Sequence, residues 1–152
     1  TRLVSSAASD VYKRQDSRVS PNWVFDTTPG ELFVIRNAGN TAFTEAIASV
    51  EYSVSVLKTP LLMVMGHSGC GAVTAAMDTN PLTPSLDRLI QPIRENINGS
   101  SDLEDAVKRN ALASASTLIQ RSAVLAEAKA SGALKLVVGC FQLSSGVVSL
   151  IE

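Results

Sequence analysis

Met65-Gly66-His67-Ser68-Gly69-Cys70-Gly71-Ala72-Val73 is the stretch that decides the fold of this chain. The continuous apolar run 61–65 precedes it, and residues 72–77 have a composition compatible with a helix. We therefore predict a strand, a glycine-rich turn and a helix, and in parallel α/β sheets ligands bind at the carboxyl ends of the strands. The only histidine of the chain, His67, and one of its two cysteines, Cys70, lie in this turn, which makes it the candidate functional site.

Three chemistries that use a similar turn are disfavoured by its residues. A phosphate-binding P-loop needs a lysine and a hydroxyl after its last glycine, where this chain has Ala72 and Val73. A hydrolase nucleophile elbow around Ser68 needs a glycine where Cys70 stands and a second histidine as base. A cysteine phosphatase loop would need an arginine six residues after Cys70, where the chain has alanine.

Zinc binding remains, because His-x-x-Cys is a workable pair of zinc ligands. The alternative is that His67 is a hydrogen-bonded turn residue and that Cys70 is a small buried apolar side chain. Two ligands do not make a zinc site, so a third ligand must come from elsewhere in the chain.

Composition limits the class of protein. The length of 152 residues fits one domain, and 45% hydrophobic with 18% charged residues is typical of a globular protein. A net charge of −1 and a pI near 5.8 give no electrostatic reason to expect nucleic acid or an anionic membrane as a partner. No apolar run is long enough to span a bilayer. The cysteines suggest no disulfide framework, so we expect a reducing compartment: the cytoplasm, or the plastid stroma as the alternative.

Residues 1–15 differ from the rest of the chain. They show no period-2 alternation, have only weak helical character and are too polar for the apolar core of a signal peptide. The segment also looks like translated adapter sequence. We therefore predict that 1–15 is a non-native or disordered segment and that 16–152 is the domain. A genomic sequence that encodes the same fifteen residues would refute the non-native origin.

Asp16-Ser17-Arg18 follows this segment. In an extended backbone Asp16 and Arg18 share a face, and a guanidinium can hold a carboxylate in one orientation and keep it ionised. The alternative is a surface ion pair that contributes about 0–1 kcal/mol.

Four motifs in series resemble successive signatures of the β-class carbonic anhydrases. They are Asp16–Pro21, Pro29–Asn40, Ser49–Tyr52 and Gly66–Ala72, in the family's order. The similarity extends from about Asp16 to the end of the chain. Each motif alone is weak, and the series is specific.

The resemblance implies a three-layer α/β fold with a mostly parallel sheet, four parallel strands and an edge strand, flanked by helices. It implies zinc-dependent, reversible hydration of carbon dioxide to bicarbonate and a proton, because zinc activates water near neutral pH. By position, His67 and Cys70 would be zinc ligands. Asp16 would accept a hydrogen bond from the activated water or serve as the fourth ligand, and Arg18 would hold Asp16. Family members form dimers or larger assemblies, and their N-terminal helical arm has no counterpart here.

One residue departs from the family pattern Cys-x-Asp-x-Arg. Its first position is occupied by Arg14, which is permanently cationic and offers no lone pair to a metal. We therefore predict that this polypeptide binds Zn²⁺ poorly and has little activity, the native form having cysteine at position 14. The alternative is a non-catalytic binding protein on the same fold whose metal site has been abandoned.

Local patterns predict the remaining elements. Apolar runs predict strands at 31–36, 134–140 and 147–151, and helical spacing predicts helices over 44–58 and 85–97, the second kinked at Pro92. Ser101 and Glu104 form a predicted capping box, and Ser122 is predicted to cap a helix that Gly132 ends. Cys140 is predicted to be a packing residue.

Overall fold

A computed structural model describes residues 9–14 and 19–151. Within them five strands form one sheet, in the order β2-β1-β3-β4-β5. The first four strands run parallel, and β5 is antiparallel to β4 at the edge, which confirms the predicted architecture. The strands are β1 (Ser9–Arg14), β2 (Leu32–Asn37), β3 (Leu61–His67), β4 (Lys135–Gln142) and β5 (Val147–Ile151).

Helices connect and cover these strands. They are α1 (Pro21–Phe25), α2 (Thr44–Ser55), α3 (Gly71–Met77), α4 (Pro84–Asn96), α5 (Leu103–Arg121) and α6 (Ala123–Ala130), with a short 3-10 turn at Ala38–Asn40 after β2. Helix α4 is a single element that continues through Pro92. In the described residues no helix is both long and apolar enough to cross a membrane.

The side chains of β3 alternate between two faces of the sheet. Leu62 and Val64 are fully buried in the largest core cluster, which α2, α5 and α6 complete. Met65 packs on the other face in a smaller cluster with Val19 and Phe141, to which α1 contributes partly buried side chains. Because both faces of this strand are covered, its sequence is a continuous apolar run.

Strand β1 lies in a segment for which the sequence predicts no secondary structure, and this expectation is corrected. No secondary structure was predicted for residues 1–15, but Ser9–Arg14 pairs with Leu32–Asn37 on one side, and 10–13 pairs with 62–65 on the other. The local signal is weak because a strand inside a sheet is stabilised by its neighbours more than by its own alternation. The domain boundary at residue 16 and the non-native origin of 1–15 stay predictions.

The start of α5 is a second correction. The N-cap is Asp102, whose Oδ1 accepts a hydrogen bond from the Asp105 backbone N–H at 2.9 Å. Asp105 Oδ2 accepts one from the Ser101 backbone N–H at 3.0 Å. The reciprocal pair thus uses two aspartates, each one position later than the predicted Ser101 and Glu104, and Asp105 accepts from the residue before the N-cap. At α6 the prediction is confirmed, since the Ser122 hydroxyl caps Leu125 and Gly132 has a φ of +77°.

Candidate active site

The carboxyl end of β3 leads directly into the turn that contains His67 and Cys70. His67 is the last residue of the strand and pairs with Phe141 of β4. The backbone N–H of Ser68 then donates to the Phe141 carbonyl at 3.0 Å, so the turn stays connected to β4 beyond the end of the strand. Gly69 has a φ of +64°, a left-handed conformation that favours glycine. This geometry confirms the predicted strand, turn and helix.

His67 is held in one orientation by its own turn. It is only 2% exposed, and its Nδ1 lies 2.7 Å from the carbonyl oxygen of Ser68. A carbonyl oxygen can only accept, so this contact is a hydrogen bond when the proton is on Nδ1, and in a neutral ring the lone pair is then on Nε2. Metal-binding histidines commonly donate their second N–H to a backbone carbonyl in this way. The contact therefore favours the tautomer that a zinc ligand needs.

Cys70 is the N-cap of α3 and is fully buried. Its Sγ accepts a hydrogen bond from the Val73 backbone N–H at 3.0 Å, and its carbonyl accepts from the Thr74 N–H at 2.8 Å. An amide N–H donated to sulfur stabilises negative charge there, and the thiolate is the form that binds a metal. The side chain thus has both a structural role as a cap and the chemistry of a ligand.

Strand β1 ends at the same edge of the sheet. Lys13 pairs with Met65 of β3, and Arg14 pairs with Asn37 of β2, so the backbone at position 14 lies one step beyond the last β1–β3 pair. Carboxyl ends of parallel strands share one edge, and the predicted third-ligand position is therefore on the edge that carries His67. Asp16 and Arg18 fall outside the described residues, and their roles stay predictions.

The described residues provide two donors that suit Zn²⁺, His67 and Cys70. Imidazole nitrogen and cysteine sulfur are the ligands that Zn²⁺ prefers. In 9–14 and 19–151, however, no group of three His, Cys, Asp or Glu side chains is placed to hold a metal ion. A complete zinc site would need a third ligand in addition to His67 and Cys70.

Two further residues near this edge have clear roles. Cys140 pairs in register with Gly66 and packs against the core cluster of α3, α4 and α5, in agreement with its predicted packing role. Asn40, singled out above only as the last residue of the motif Pro29–Asn40, is 1% exposed and donates its Nδ2–H to the Met65 carbonyl at 3.0 Å. An asparagine after a glycine is an ordinary turn signal, and nothing in the sequence distinguishes this one.

Known proteins have the same fold as this chain and similar sequences. The β-carbonic anhydrase of Coccomyxa, solved with acetazolamide, superposes with a TM-score of 0.84 at 28% identity, over 95% of this chain and 72% of that one. A tetrameric β-carbonic anhydrase of Sordaria macrospora gives a TM-score of 0.81 at 23% identity, over 96% and 81% of the two chains. A family model described as carbonic anhydrase matches residues 15–148. This chain belongs to the β-carbonic anhydrase family.

Individual relatives named as carbonic anhydrases agree with that membership. Carbonic anhydrase 2 of Mycobacterium tuberculosis is 32% identical over 140 residues, which cover 86% of this chain and 68% of the relative. The carbonic anhydrase of Mycolicibacterium smegmatis is 32% identical over 144 residues, which cover 89% of this chain and 70% of the relative. The predicted family and its class of reaction, the hydration of carbon dioxide, are confirmed.

Proposed function

We propose that this chain is built to hydrate carbon dioxide reversibly to bicarbonate and a proton at a zinc ion, and that Arg14 impairs the polypeptide as it stands. The observation that carries the proposal is that His67 and Cys70 lie in the same turn and that each makes its own hydrogen bond to the backbone of that turn or of α3. Both side chains are buried in one turn, where the Ser68 carbonyl orients the imidazole and the Val73 backbone N–H donates to the Cys70 sulfur. Zinc supplies Lewis-acid activation of water near neutral pH when it is bound.

The family's roles for the remaining polar residues are part of the proposal. Asp16 would accept a hydrogen bond from the water to be activated, or would serve as a fourth zinc ligand in an inactive state. Arg18 would hold the Asp16 carboxylate, since a guanidinium can bind both carboxylate oxygens and favours their ionised form. The sequence supports this assignment by the Asp-x-Arg spacing directly after β1.

Arg14 is the residue that sets this polypeptide apart from a competent enzyme. Its guanidinium has five N–H donors, no acceptor and a permanent positive charge. At the third-ligand position it would supply no electron pair and would repel a divalent cation. We therefore expect substoichiometric zinc and little hydration activity.

Replacement of this residue tests the proposal directly. Arg14→Cys should take up about one zinc per chain, a three-ligand site with an open position, and should gain carbon dioxide hydration in a stopped-flow pH-indicator assay. Arg14→Ser is the matched control, because it removes the same charge and adds a hydroxyl in place of the thiol. It should remain largely zinc-free.

The same variants decide between the two functions. If Arg14→Cys gains neither zinc nor activity, the enzyme proposal fails and a non-catalytic binding protein on this fold is favoured. If the unaltered chain already purifies with equimolar zinc, the claim of an impaired site fails. By analogy with the tetrameric enzymes of Sordaria macrospora, we expect a native chain with cysteine at position 14 to form a homodimer or a larger homo-oligomer. The absence of a disulfide framework in the sequence favours the cytoplasm as its location.

A further inference from the structure

The Asn40 side chain connects the turn after β2 to β3, at the end of the sheet that carries the candidate site. Asn40 lies in the 3-10 turn after β2, and β1 separates β2 from β3 in the sheet. Its side chain nevertheless reaches β3, where Nδ2 donates to the Met65 carbonyl at 3.0 Å. Met65 is the residue that pairs with Lys13 at the last step of the β1–β3 ladder. The Asn40–Met65 hydrogen bond therefore contacts β3 at the last residue that pairs with β1.

The backbone that carries this side chain is itself fixed. Asn40 has a φ of +53° and Gly39 a φ of +71°, left-handed conformations that asparagine and glycine tolerate. A Cβ at Gly39 would collide with Cδ1 of Ile93, so α4 packs directly against the turn. The Asn110 side chain of α5 donates to the Gly39 carbonyl at 2.7 Å. Asn96 of α4 in turn donates to Asn110 Oδ1 at 3.0 Å.

The Oδ1 atom of the Asn40 amide is evidence that this side chain is not there only to fill space in the core. Its Oδ1 is buried and has no hydrogen-bond partner within the described residues. A buried polar atom in that state lowers stability, and an apolar side chain would avoid the loss. An apolar residue could not donate a hydrogen bond to the Met65 carbonyl, so this bond is the feature that distinguishes asparagine at position 40.

We propose that Asn40 is a positioning residue of the metal site, which sets the spacing between position 14 at the end of β1 and His67 at the end of β3. Met65 lies two residues before His67, and the hydrogen bond from Asn40 fixes the backbone there. The inference rests on the proposed function, because position 14 matters only if a ligand stands there. It adds a residue outside the metal ligands and the Asp16–Arg18 pair.

A first experiment needs no metal. In a Cys140→Ser background, the buried Cys70 thiol is the only cysteine, and its rate of reaction with an aromatic disulfide reagent reports opening of the turn. Asn40→Gly keeps the positive φ and removes the amide. We expect the rate to rise about fivefold, the effect on an opening equilibrium of losing one net hydrogen bond. Ser122→Ala, which removes the α6 cap and its contact with Glu51 but leaves the Asn40–Met65 hydrogen bond in place, is the control for a general loss of stability and should leave the rate close to that of the parent.

A second experiment measures metal geometry. In the Arg14→Cys background, cobalt(II) serves as a coloured probe in place of zinc. Asn40→Gly should weaken cobalt affinity about 10- to 100-fold, the usual effect of removing a residue that supports metal ligands, and should change the visible absorption band. Ser122→Ala should change neither.

The outcomes separate the two proposals. If Arg14→Cys binds no cobalt, the proposed function fails, and the thiol rate alone decides whether Asn40 fixes the turn. If Asn40→Gly matches Ser122→Ala in thiol rate, or leaves cobalt affinity and spectrum unchanged in an Arg14→Cys chain that binds cobalt, the role of Asn40 is refuted. Should Asn40→Gly fail to fold, Asn110→Ala, which removes the donor to the Gly39 carbonyl and the acceptor of the Asn96 amide but leaves the Asn40 side chain in place, replaces it under the same criteria.

Discussion

The Ser68 hydroxyl oxygen accepts a hydrogen bond from the backbone N–H of Leu143 at 2.9 Å, although 75 positions separate the two residues. The Ser68 backbone N–H also donates to the Phe141 carbonyl. Through these two bonds the turn between His67 and Cys70 is connected both to β4 and to the loop that leads from β4 to β5. The serine that a nucleophile elbow would expose is here a structural link.

Replacement of this hydroxyl should loosen the turn. Ser68→Ala leaves the Leu143 N–H without its acceptor, and we expect a loss of about 1 kcal/mol in the free energy of unfolding, measured by urea denaturation. Ser145→Ala removes an exposed serine of the same loop, whose hydroxyl accepts from Val147 at 3.4 Å, and should change stability by less than about 0.5 kcal/mol. Equal effects of the two substitutions would contradict a special role for Ser68.

The two roles of Cys70 can be separated by one substitution. Cys70→Ser retains an oxygen acceptor for the Val73 N–H, and serine is among the preferred N-cap residues, so stability should stay within about 1 kcal/mol of the parent. A serine hydroxyl is a poor zinc ligand in comparison with a thiolate. In the Arg14→Cys background, Cys70→Ser should therefore abolish the gain of zinc without unfolding the chain, as metal analysis and circular dichroism would show. Retention of equimolar zinc would exclude Cys70 as a ligand.

Much of this fold is encoded by local sequence signals. The apolar run of β3 and the glycines after it are sufficient to predict the strand and turn that place His67 and Cys70. The cap of α6 by Ser122 and the end of that helix at Gly132 are also local features, since each depends on a few neighbouring residues.

Features that depend on distant partners could not be predicted in this way. Strand β1 is defined by its pairing with β2 and β3, and its own six residues carry little alternation. The Asn40–Met65 hydrogen bond joins residues 25 positions apart, and an asparagine in a turn gives no hint of it. At α5 the local signal was present but ambiguous, because Ser101 and Asp102 are both good caps and only the geometry selects the aspartate.

The close contact between Gly39 and Ile93 gives a test of the packing around the Asn40 turn. Gly39→Ala adds a methyl group against Ile93 Cδ1 and puts alanine at a φ of +71°. Overpacking costs about 1–3 kcal/mol, and the left-handed backbone adds about 1–2 kcal/mol, so the loss in urea denaturation should be large.

A double-mutant cycle separates these two contributions. Ile93→Val removes Cδ1 and should restore part of the stability of Gly39→Ala, whereas the backbone strain should remain. The interaction energy should be about 1 kcal/mol or more in favour of the double variant, since the two residues touch. Strict additivity of the two substitutions would show that Ile93 is not the obstacle.

The aspartates at the start of α5 make the stability of this helix sensitive to acid. The backbone N–H of Asp105 and then the Ser101 hydroxyl stabilise the charged form of Asp102, which lowers its pKa below the ordinary value of 3.8. A carboxyl group whose pKa is lower in the folded chain stabilises the fold above its unfolded value, and that contribution is lost as the pH falls below 3.8 toward the folded value.

Asp102→Asn retains a good cap and removes this titration, because an amide accepts the same N–H and cannot be protonated in this range. The parent should be more stable than the variant at about pH 6, where the Asp102 carboxyl is ionised in both states, and the difference should shrink toward about pH 3 as the parent loses its contribution. Urea midpoints of the two proteins across this range provide the measurement. A difference that is independent of pH would mean that the hydrogen bonds to Asp102 do not favour its charged form.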